Sequence, residues 1–170
     1  MQLIRPLIRF AAAIMMISLG SLLGQSETVL PPQAIVDRYC SLDAKGALFS
    51  SSNPNFNAIS ALLINEDEAG YDSAIVIKSY RIGKVNTTKD SADVEVIYSD
   101  LGVKAGEEFR KEAKSESVMF HLTKVGANWK INGLRILPHI SKEWLLSEMS
   151  KGLKPDQLNA SKPISELRHW

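Results

Sequence analysis

The chain has a single cysteine, Cys40, in 170 residues, so it forms no internal disulfide and its core must hold without covalent staples. A lone cysteine inside an apolar stretch reads as a small buried side chain rather than a nucleophile. Neither sign of charge is in excess, with 20 Lys and Arg against 19 Asp and Glu. That balance excludes an electrostatic nucleic-acid binder, which carries a basic stripe. The three histidines, at 121, 139 and 169, are too far apart for metal-ligand spacing. A Gly-x-Ser-x-Gly elbow, a phosphate loop, a Gly-x-Gly-x-x-Gly turn and a His-Glu-x-x-His pair are all missing. The common hydrolase, nucleotide-binding and zinc-protease chemistries therefore have nothing to rest on, and the sequence implies neither a cofactor nor a metal.

Long hydrophobic runs are missing too, except at the start. In "MQLIRPLIRFAAAIMMISLGSLLGQS", Arg5 and Arg9 precede an apolar stretch from Phe10 to Leu23, with no acid. Gly24 and Ser26 supply small residues three and one before a cleavage point after Ser26, the layout of a secretory signal peptide. An uncleaved anchor is the alternative, since Leu3 to Leu23 nearly spans a bilayer, but Gly20 and the early arginines interrupt the run. Cys40 follows Asp-Arg-Tyr and offers no lipoprotein site. The expected organisation is a signal peptide at 1–26, one domain at 27–152 and a C-terminal tail at 153–170, in an exported protein that is periplasmic or secreted. Cleavage would remove both signal arginines, leaving 18 basic and 19 acidic residues and no stable membrane span. The remainder is long enough to bury most of its apolar surface as one domain.

What is there falls into two periods. Pro31 and Pro32 suit a helix start, and Ile35, Val36, Tyr39, Cys40 and Leu42 recur at helical spacing after them. Gly46 weakens the end of that helix, "SSSNPN" is a loop, and "FNAISALLI" is a second, shorter helical segment. After the acidic stretch "NEDEAGYD" the period becomes alternating. "SAIVIKSYRIGKV", "ADVEVIYSD", "SVMFHLTKV" and "WKINGLRIL" read as strands, the last bent at Gly133. Val94, Val96, Phe120, Leu122, Trp129 and Ile131 are the expected core. Pro138 should stop the last strand, and Ser141 fits the N-cap of a helix over "SKEWLLSEM". Two prolines and few apolar residues after Leu153 read as a tail or a weakly docked final turn. The expected fold is therefore α+β: a curved antiparallel sheet of about four to six strands wrapped on N-terminal helices, with a further C-terminal helix.

A helix, a short helix and long curved strands ending in "GANWKI" resemble the nuclear transport factor 2-like superfamily, a cone of sheet wrapped on helices. More narrowly, the chain is similar to uncharacterised exported bacterial proteins of that type. The motifs are Asp43 with Gly46, Tyr71 with Asp72, and Pro138-His139-Ile140-Ser141. The likeness covers about residues 33 to 150 and brings no established activity. Some superfamily members are isomerases or dehydratases whose pockets pair Asp, His and Tyr, and Asp37, Tyr39, Asp43, Tyr80, Tyr98 and His139 supply those types here. None matches an enzyme motif, so none is carried over as catalytic. Tyr39, Asp43, Tyr80, Tyr98 and His139 are kept as a candidate pocket.

The remaining signals favour plain structural readings. "NEDEAG" places Asn65, Asp67 and Gly70 like the start of a calcium loop, but Ala69 and Val76 fail where ligands are needed, so it reads as a solvated acidic turn. "KAGEEFRKEAKSE" mixes both signs and reads as a solvated helix face or a hairpin tip, not as a partner patch. Asn86-Thr87-Thr88 and Asn159-Ala160-Ser161 fit the glycosylation sequon. His121 reads as a surface residue opposite Phe120. His139, in a strand-to-helix corner, reads as a clasp whose imidazole ties down a stray backbone carbonyl. The function expected is a non-catalytic module that binds a small apolar or amphipathic molecule or a protein partner, with a homodimer also open. A pocket acid–base enzyme on the same cone is the alternative.

Overall fold

The computed structural model describes residues 29–64, 70–132 and 136–170. The expected signal segment with its cleavage point, the acidic turn at 65–69 and the bend at Gly133 lie outside the described residues.

Helix α1, Pro32–Asp43, begins where Pro31 holds an extended backbone and Pro32 takes the first helical position, which has no use for an amide proton. Helix α2 is a single short turn, Phe56–Ser60, and Leu63 then bridges to Ile131. Three long strands follow as a meander: β1, Ser73–Thr87, β2, Ser91–Ala105, and β3, Glu108–Val125. Their pairing shifts register between Val76 and Ile77, between Ile82 and Val85, and between Asp100 and Gly102. Such irregularities add twist, and long twisted strands curl. Strand β4, Asn128–Ile131, ends earlier than the alternation predicted.

The sheet has five strands in the order β4-β3-β2-β1-β5 and forms a curled half-barrel. It is mixed rather than wholly antiparallel. After β4 the chain crosses to the far edge, where β5, His139–Ser141, runs parallel to β1. Helix α3, Lys142–Ser150, starts at once, and its N-cap is Ser141, whose hydroxyl accepts the Trp144 amide at 3.1 Å. Residues 153–170, expected as a tail, hold α4, Pro155–Ala160, and α5, Lys162–Arg168, and α5 buries Ile164 and Leu167. Among the described residues no helix is long and apolar enough to cross a membrane.

Two apolar clusters result. The larger packs α1 and α2 against the sheet and contains all six expected core residues, Val94, Val96, Phe120, Leu122, Trp129 and Ile131. The smaller joins Ala74, Val76, Ile140, Leu145 and Leu167. Ile77 belongs to the first and its neighbour Val76 to the second. Neighbouring strand residues point to opposite faces, so helices cover both sides of the sheet. "KAGEEFRKEAKSE" is a hairpin tip running into β3, with Gly106 at φ +56° making the turn, and not a helix face.

Candidate functional site

Asp43 occupies the last helical position of α1, one turn beyond Tyr39 and Cys40, on the stripe that faces the core. It is fully buried. Its Oδ2 accepts the backbone N–H of His139 at 2.8 Å, while Oδ1 has no hydrogen-bond partner among the described residues. Burial pushes its carboxyl up to about 8, and the His139 amide pulls the other way. The negative end of the helix adds to the cost of ionising it. One residue on, the Ala44 carbonyl accepts the Ser141 amide at 2.9 Å. The end of α1 thus takes both outward N–H groups of β5, an edge strand that pairs on its other side with Ile75–Ile77.

The clasp exists, but its parts are not the ones expected. His139 is held by its backbone amide, and its imidazole, though near the Leu137 carbonyl, makes no hydrogen bond of good geometry with it. The ring lies flat on Tyr98, with centroids 3.9 Å apart and planes at 19°. Neither ring nitrogen makes a hydrogen bond of good geometry among the described residues. Burial lowers its pKa to about 4, against upward pulls from Glu116 and the Leu137 backbone. At neutral pH a neutral imidazole therefore lies close to a largely protonated carboxyl.

Tyr98 reaches from β2 to α1, its hydroxyl 3.2 Å from the Cys40 sulfur. Burial, then the charge of Cys40, raises the Tyr98 pKa above the ordinary phenol range. Burial pushes the Cys40 thiol up to about 12, so it is no thiolate nucleophile. Tyr80 stands at the rim, 6.3 Å from Tyr98 between ring centroids, and donates to Asp37 Oδ1 at 3.1 Å. Tyr39 turns into the core and meets Phe120 edge-on at 5.4 Å. Of the five candidates, the fold brings together Asp43, Tyr98 and His139, places Tyr80 beside them and uses Tyr39 as packing. Cys40 is the member that the sequence reading left out.

Asp100, also buried, has no hydrogen-bond partner for either oxygen among the described residues; burial and then the nearby Glu116 raise its pKa. His121 is exposed on β3 and paired with Asp93 at 2.7 Å, as expected of a surface residue. Among the described residues no group of three or more His, Cys, Asp or Glu is placed to hold a metal ion.

Two concavities among the described residues lie elsewhere. One, of about 410 Å³, is walled by Phe49, Pro54, Trp144, Leu145 and Met149, with Lys104 at its side. The Lys104 ammonium stands 4.9 Å from the Phe49 ring centroid and donates to the Gly106 carbonyl at 2.6 Å. Loss of water lowers its pKa. Gly46, at φ +69°, lies against the Trp144 indole, where any Cβ would overlap the ring. A second groove, of about 320 Å³, runs between Leu30, Ile35, Leu62 and Trp129. Neither is lined by any of the five candidate residues.

No family model, curated protein or solved structure matches the chain. The site must be read from its own atoms. The Asp43–Tyr98–His139 group has acid–base residue types but is closed to solvent, and proton transfer needs a substrate within hydrogen-bond reach. The Phe49–Trp144 cavity has the opposite character, with an accessible aromatic wall, Lys104 beside it, and Lys151 paired to Glu148 on its rim. No local pattern announced it, because Phe49, Lys104 and Trp144 come from three distant segments.

Proposed function

We propose that the protein is an exported, non-catalytic binding module of the nuclear transport factor 2-like type, and that it holds a small amphipathic molecule in the Phe49–Trp144 cavity. The observation that carries this reading is the pairing of an open aromatic wall with the Lys104 ammonium. Ligand sites are commonly concave, mostly apolar and furnished with few polar groups, and a cation against an aromatic face suits an apolar body with an acidic head. The family reading draws support from the curled sheet packed on α1 and from the contact between two of its motifs, Asp43 with His139.

The test is a fluorescence titration with anilinonaphthalene sulfonate, an anionic aromatic amphiphile. Saturable binding to the folded protein, weakened about tenfold or more by Trp144→Leu or Lys104→Gln and unchanged by Trp129→Phe, is the expected result. Binding indifferent to both cavity substitutions, or no binding by the folded protein, overturns it. Intact mass of the protein from its native envelope tests export; a chain that retains residues 1–26 would refute cleavage.

The acid–base alternative draws on Oδ1 of Asp43 and the ring nitrogens of His139, none of which has a hydrogen-bond partner among the described residues. It requires a route from solvent to those atoms, and neither described cavity supplies one.

A further inference from the structure

Strand β3 is the longest in the sheet, yet its outer neighbour β4 pairs only with Leu122–Val125. Among the described residues no strand pairs with residues 108–117 on that side. Every residue of this half except Phe109 and Glu116 is exposed. This edge offers unpaired amides and carbonyls to another chain on both sides of Glu112 and Ala113, where β3 is irregular against β2.

We infer that the 108–117 edge of β3 pairs antiparallel with the same edge of a second copy of this chain, about a two-fold axis at Ala113, joining two five-stranded sheets into one. The argument is electrostatic. Arg110, Glu112, Lys114 and Glu116 alternate in sign at two-residue spacing, and within the chain they pair as Arg110–Glu112 at 3.4 Å and Lys114–Glu116 at 3.1 Å. Rotated about Ala113, the segment is its own complement. Arg110 faces Glu116, Glu112 faces Lys114, and Lys111 faces Ser115. Opposite charges directly across an antiparallel pair stabilise it, and like charges destabilise it.

A two-fold axis normal to the sheet pairs only residues an even number apart, which limits the neighbouring registers. Centring on Glu112 sets Arg110 against Lys114 and Glu112 against itself. Centring on Lys114 sets Glu112 against Glu116 and Lys114 against itself. Charge on a strand edge ordinarily blocks pairing, and here the block is lifted for the Ala113 register and kept for its neighbours, which is how a specific partner is selected. The opposite edge of the sheet makes the contrast. Beyond its contact with β5, β1 presents Lys78, Arg81 and Lys84 and no acid, so two copies of that edge would meet with like charge.

The experiment is sedimentation equilibrium on the folded chain and three variants, with circular dichroism confirming that each is folded. The wild type should be a dimer. Glu112→Lys and Lys114→Glu each place like charges opposite one another twice per dimer and should raise the dissociation constant about tenfold or more. The double variant, E112K/K114E, restores complementarity across the axis and should recover the dimer. A wild type that stays monomeric as concentration rises, a dimer indifferent to either single change, or a double variant that remains dissociated overturns the inference. Salt should weaken the wild-type dimer, since exposed charge pairs are screened.

Discussion

The Oδ2 of Asp43 takes the amide proton of His139 at 2.8 Å, fastening the end of the first helix to the strand that closes the sheet. The bond also holds a carboxyl in a place where ionisation is costly. Asp43 and His139 then act in opposite directions as pH changes. Asp43, raised from 3.8 to about 8, gives stability that is full below its unfolded pKa and is lost as pH rises through about 8. His139, lowered from 6.5 to about 4, gives stability that is present above 6.5 and is lost as pH falls. Between about 4 and 6.5 the two slopes oppose each other. Above 6.5, of these two groups, Asp43 alone still loses stability, at roughly 1.4 kcal/mol per pH unit up to about 8. Denaturant unfolding across that range should show the decline. Asp43→Asn, whose amide oxygen can accept the same N–H, should abolish it, and a variant that declines like the wild type would place the titration elsewhere.

Cys40 should be inert in the native state. Its thiol is buried against Tyr98 and its pKa is pushed up to about 12. An aromatic disulfide reagent at about pH 8 should therefore label it only as fast as the protein opens. Instant stoichiometric labelling of folded protein would show that the α1–β2 contact is loose.

Phe120 is fully buried and meets Tyr39 edge-on. Phe120→Ala should cost about 3–5 kcal/mol in unfolding free energy. A cost below about 1 kcal/mol would mean that the other face of β3 is the one packed.

The C-terminal helices should be structural. Leu167 is fully buried beside Val76, Ile140 and Leu145, so Leu167→Ala should cost about 2–5 kcal/mol. Removing residues 153–170 should lower the melting temperature further. An unchanged melting temperature after truncation would return the segment to the status of a loose tail.

The fold was legible where the pattern is local. Val94, Val96, Phe120 and Leu122 alternate through long strands, and Ile35, Val36, Tyr39 and Cys40 recur at helical spacing, so both core faces could be read directly. Strand β5 could not, because three residues after a proline carry no periodicity and the pairing with β1 is made across the chain. Pro155 and Pro163 looked like breakers, whereas each stands in the first turn of a short helix, where its missing amide costs nothing. Residue types single out Asp43 and His139, but a carboxyl that bonds to a backbone amide leaves no trace in them. The expectation that an imidazole would do the tying failed for that reason.

The placement of β5 also sets an order of events. Its three residues are gripped by Asp43 and Ala44 on one side and by Ile75–Ile77 on the other, all of which come much earlier in the chain. Seating it closes loops of roughly 60 to 100 residues, a step whose entropy is lost before any contact returns it. A chain emerging from the ribosome can fold its meander, yet it cannot seal the end of α1 until residue 141 is free. Such a late-closing seam would leave the polypeptide pliant through most of its synthesis, which suits a protein proposed to be threaded through a membrane before it folds.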